Sequence, residues 1–132
     1  MSELTNYQLV NIFKKYLNDF VEGLTDQFPR EKDFYTLQLL IKTDQINMEN
    51  ILREFSKVII PHKDMVLERN EDFFLTKCKT LLSGTDIKSD QVDHFKRIWQ
   101  SPSLSDDDKV VMWRWFKNFL DIAIQYDKNC KK

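Results

Sequence analysis

Apolar residues recur three and four positions apart along almost the whole chain, which is the period of an α-helix rather than the alternation of a strand. Leu9, Val10, Ile12, Phe13, Tyr16, Leu17, Phe20, Val21 and Leu24 keep that rhythm, with Asn11, Lys14, Lys15, Asn18, Glu22 and Asp26 between them. They predict a long amphipathic helix from about Thr5 to Phe28, ended at Phe28-Pro29. A shorter helix over Glu31–Lys42 follows, with Phe34, Leu37, Leu40 and Ile41 inward. Thr43 or Asp44 can cap the next, whose face is Ile46, Ile51, Leu52, Phe55, Val58 and Ile59. Pro61 stops it by disfavouring an α conformation at Ile60.

His62 to Arg69 reads as a loop with one turn of helix through Met65, Val66 and Leu67. Asn70 then caps a helix carrying Phe73, Phe74, Leu75, Cys78, Leu81 and Leu82, which Ser83-Gly84 closes. Thr85–Ser89 is a linker, and Gln91–Gln100 is a helix with Val92, Phe95, Ile98 and Trp99 on one side. Ser101-Pro102-Ser103 makes the last turn.

Ser105-Asp106-Asp107-Asp108 starts the final helix, since side-chain oxygens accept first-turn N–H groups and carboxylates oppose the positive dipole end. Ser103 is the alternative cap. Behind that start, Arg114, Lys117, Asn118, Asp121 and Gln125 share one narrow strip, and apolar residues through Tyr126 cover roughly 200° or more of the helix. Such a face is wider than a surface helix needs. It implies a nearly central helix, or one whose spare face meets another protein. Trp115 and Ile122 fall toward one edge of the arc, Trp113 and Ile124 toward the other, with Met112, Phe116, Phe119 and Ala123 between. If one edge is open, a tryptophan there is the expected hot spot, with the Trp113 edge favoured. Asp127–Lys132 reads as a basic, mobile tail.

The expected fold is therefore all-α, a single domain of six to seven helices. Composition agrees: of 132 residues 42% are hydrophobic and 13% aromatic, whereas Gly numbers 2 and Pro 3. Tight hairpins need residues that reach positive φ, and this chain has few. The 20 basic and 21 acidic residues leave a formal net charge of −1, so the basic excess that phosphate binding requires is missing. Two distant cysteines, polar residues from Ser2 onward and no apolar run of membrane-spanning length lead us to expect a soluble, cytoplasmic protein.

Candidate chemistry is sparse. His62 and His94 lack the close-spaced ligand pairs of zinc sites and read as solvated surface residues. Cys78 reads as a buried structural thiol, because Lys77 and Lys79 point away from it on a helix. Asp106, Asp107 and Asp108 are explained by the helix start without any metal. No Gly-rich phosphate loop, G-x-S-x-G or H-E-x-x-H occurs. No catalytic, cofactor or metal residue is expected.

Several short pieces occur in a familiar order: Pro61 with Met65, Asn70-Glu71-Asp72-Phe73-Phe74-Leu75, Phe95-Lys96-Arg97-Ile98-Trp99, Leu104 through Lys109, and Val111-Met112-Trp113. With Phe28-Pro29 they resemble small helical proteins encoded by nucleocytoplasmic large DNA viruses. Trp115-Phe116 departs from that pattern, where a Tyr-Leu pair is more usual. The resemblance implies a helical fold and a setting, infected-cell cytoplasm or virion, and carries no catalytic residue. The leading expectation is a non-enzymatic module with a protein partner. A nucleic-acid-associated factor, using Lys14-Lys15, Lys77 with Lys79, or Lys96-Arg97 with the Lys128–Lys132 tail, is second, and an enzyme with an unfamiliar helical site third.

Overall fold

A computed structural model describes residues 4–81 and 89–130, without the side chains of 78–81, 89 and 91, and seven helices pack together among the described residues. In chain order the helices are α1 (Asn6–Gln27), α2 (Lys32–Lys42), α3 (Met48–Ile59), α4 (Lys63–Leu67), α5 (Glu71–Leu81), α6 (Ser89–Trp99) and α7 (Asp106–Cys130). No strand occurs among the described residues. The fold is all-α.

Local chemistry sets the boundaries. Thr5 and Gln8 form a capping box at the start of α1, with Gln8 N–H donating to Thr5 Oγ1 (3.1 Å) and Thr5 N–H to Gln8 Oε1 (2.9 Å). Asn70 caps α5, accepting from the Phe73 N–H at 2.9 Å. The cap of α3 is Asn47, which accepts from the Asn50 N–H at 3.0 Å, and neither Thr43 nor Asp44 fills that role. Both belong to the end of α2 instead. Gln45 N–H donates to Leu40 O (2.9 Å) and Asp44 N–H to Ile41 O (3.3 Å), with Asp44 at φ 56°. This is a Schellman ending with aspartate in the left-handed position that glycine usually takes. Lys14 pairs with the Asp44 carboxylate across the α1–α2 hairpin.

The same ending recurs after α4. Asn70 N–H reaches Met65 O (2.9 Å) and Arg69 N–H reaches Val66 O (3.1 Å), with Arg69 at φ 55°. Pro61 acts differently from expectation. Ile60 keeps α-region dihedrals (φ −61°, ψ −45°), so its conformation is not what ends α3. Proline removes one N–H from the ladder, and the chain passes through a single 3-10 turn, Ile60–His62, straight into α4. The Ser83-Gly84 closure, the Thr85–Ser89 linker up to residue 88 and the burial of Cys78 lie outside the described residues.

Helix α7 runs against α1, α3 and α4. Met112, Phe119, Leu120 and Ala123 are buried in the core with Leu9, Phe13, Ile51 and Leu52. It also runs further than its apolar pattern. Asp127–Cys130, read as the start of a tail, continue the helix, and Asn129 Nδ2 donates to Leu4 O at 2.8 Å. None of the described helices is long and apolar enough to cross a membrane.

Candidate functional site

The two edges of α7 do not form an open surface. Trp113, only 7% exposed, meets Trp99 of α6 edge-on (5.6 Å between ring centroids, 89°) and Phe74 of α5 (6.0 Å, 65°). Trp115, on the opposite edge, is half-buried against Tyr16 (5.8 Å) and Phe20 (6.3 Å) of α1. Ile122 is buried and Ile124 half-buried. Edges roughly 160° apart cannot both meet one flat partner, and here each has its own neighbour within the fold. The expected hot spot at Trp113 is therefore corrected: the indole is core.

Ser105 is the N-cap of α7. The Asp108 N–H donates to Ser105 Oγ (3.1 Å), and Asp108 Oδ2 accepts from the Ser105 N–H (3.0 Å) and from Gln27 Nε2 (2.8 Å). The hydrogen bonds from Ser105 hold the Asp108 carboxyl below the usual range, against a small opposing effect of burial, and Gln27 adds to them. Ser105 and Asp108 thus tie α7 to the end of α1.

Between the seven helices lies a feature the periodicity did not foreshadow, an apolar cavity of about 170 Å³. Every helix contributes to its wall, from Phe13, Phe20 and Val21 of α1 to Phe95 of α6 and Phe116 of α7. Among the described residues Asp33 is the only charged side chain on that wall. Protein interiors pack as densely as organic crystals and rarely leave voids larger than a water molecule. A space near 150 Å³ lined by aliphatic and aromatic residues is sufficient for a benzene-sized guest. Leu17, Leu37, Phe55 and Phe73 line the cavity and are only half-buried, so the space is not sealed from the surface.

At its edge Asp33 joins a polar cluster. His94 of α6 stands between two carboxylates, with Nδ1 2.7 Å from Asp33 Oδ2 and Nε2 2.5 Å from Glu31 Oε2. Its ring stacks on Phe34 (5.8 Å, 4°), and the His94 side chain is 17% exposed. This corrects the reading of His94 as a solvated surface residue. His62 is exposed, with its ring beside Phe73 at 5.1 Å. Glu31 is the N-cap residue of α2 and Asp33 lies in its first turn, where the helix dipole favours negative charge. They occupy opposite nitrogens of one imidazole and so diverge. Among the described residues no group of three His, Cys, Asp or Glu side chains is arranged to hold a metal.

No signal in the sequence marks the cavity, because it arises from seven helices meeting. The His94 cluster had only a faint one, Glu31 and Asp33 bracketing a helix start, with its partner 61 residues away. No family model, curated protein or solved structure matches the chain.

Proposed function

We propose that the protein is a non-enzymatic binding module and that it receives a small apolar guest in the cavity between its helices. The observation that carries this reading is the cavity itself, about 170 Å³ of aromatic and aliphatic wall with one carboxylate at its edge. Ligand sites are typically concave, mostly apolar and supplied with a few placed polar groups. The resemblance to small viral helical proteins supplies a setting, host cytoplasm or virion.

Toluene tests the reading. Titration should raise the melting temperature and move methyl NMR signals of Val21, Leu24, Leu37, Ile51 and Val92, which surround the space. No stabilisation, or shifts scattered over the outer surface, would refute it.

A protein partner is the second reading, favoured by one observation away from α7. Tyr35 (47% exposed) and Leu39 (62%) lie one turn apart on α2 and present apolar area to solvent. Leu39→Ser should abolish capture of such a partner without lowering stability. A nucleic-acid role has less support, since Lys14, in the hollow it shares with Lys15 and Lys42, pairs with Asp44.

A further inference from the structure

The guest's chemistry follows from what stands at the cavity edge, and the inference rests on the cavity reading above. Asp33 touches both worlds: it lines the apolar space and holds His94 through one oxygen, Oδ2. Its side chain is 49% exposed, so it belongs to the rim rather than the floor. Glu31 lies across the same imidazole. Two carboxylates face this one imidazole, so acidic groups outnumber it in the cluster. A carboxylate-bearing guest such as a fatty acid would meet repulsion there.

A guest with an apolar body and a cationic nitrogen would meet attraction. Its body would displace water from the aromatic wall, and its N–H groups would donate to the Asp33 carboxylate on the rim. Phe34 and Phe95 line the same space and keep its wall apolar around the guest's body. We propose that the cavity selects small apolar amines, with Asp33 as the residue that recognises the amine and His94 as the residue that positions Asp33.

Three probes of one size decide the matter: benzylamine, benzyl alcohol and benzoate, titrated into the intact protein at pH 7 and followed by methyl NMR. Benzylamine should bind roughly two- to five-fold more tightly than benzyl alcohol, the gain of a half-exposed, partly screened charge pair, and benzoate most weakly. Asp33→Asn should bring benzylamine down to the level of benzyl alcohol and leave benzyl alcohol unchanged. His94→Gln should reduce the benzylamine preference without removing it. Equal binding of the amine and the alcohol overturns the amine inference while leaving the apolar cavity standing. Failure of all three probes overturns both. If Asp33→Asn does not fold, the ranking of the three probes on the unaltered protein still decides.

Discussion

A single hydroxyl begins the longest helix of the molecule. Ser105 accepts from the Asp108 N–H, and Asp108 returns the favour to the Ser105 N–H, so two first-turn donors are satisfied by two side chains. Ser105→Ala should lower stability by about 0.5–2 kcal/mol in urea denaturation. Ser103→Ala should not, because the Ser103 N–H donates to Ser101 Oγ and its own hydroxyl caps nothing. Tyr126 gives a second residue-level test. Its hydroxyl donates to Glu49 Oε2 (3.2 Å), and burial first, then the charges of Cys130 and Glu49, push its pKa from 10 up to about 12. A raised folded-state pKa means that the phenol contributes stability fully below pH 10, and that this contribution is lost as pH climbs toward about 12. The difference in denaturation midpoint between the unaltered protein and Tyr126→Phe should therefore stay constant below pH 10 and shrink above it.

At the scale of elements, the helices follow from local rules and their uses do not. The caps at Asn70 and Ser105 are legible because an N-cap needs only one side chain and its own first turn, whereas Thr5 marks only the start of α1 and its capping box emerges in the structure. The ends of α2 and α4 are not legible, because Asp44 and Arg69 hold the left-handed position without the glycine that advertises it. The wide face of α7 was read correctly as wide, but width alone does not say who covers it. Phe74 of α5 and Trp99 of α6 cover one flank by packing on Trp113 and Phe116 of α7, with Trp99 fully buried and its indole Nε1 without an acceptor. Trp113→Ala should remove about 3–5 kcal/mol and broaden or abolish the thermal transition, as a large aromatic truncation in a core does. Near-native melting after that change would return Trp113 to the surface and undo the packing described for α5, α6 and α7.

At the scale of the whole molecule, the question is whether the space at the centre is a packing fault or a site. His94 and Asp33, 61 residues apart, come together only when α6 reaches α2, and the cavity exists only when all seven helices meet. No window of sequence contains either. A change in volume separates the alternatives through its sign. Val21 is 1% exposed and lines the cavity, so Val21→Met places a longer, adaptable side chain beside the space. In a filled core that change would cost about 1–3 kcal/mol through overpacking. With room available it should instead raise stability by about 0.5–2 kcal/mol, the usual gain from filling a void. The same methionine competes with any guest. Toluene at a hundred times its dissociation constant should stabilise the unaltered protein by about 2.7 kcal/mol. The variant should show much less of that gain, because its cavity is already partly occupied. A variant that is destabilised and still responds fully to toluene would mean that the guest binds elsewhere. Stabilisation with a blunted response would place the guest beside Val21, where the helices leave room for it.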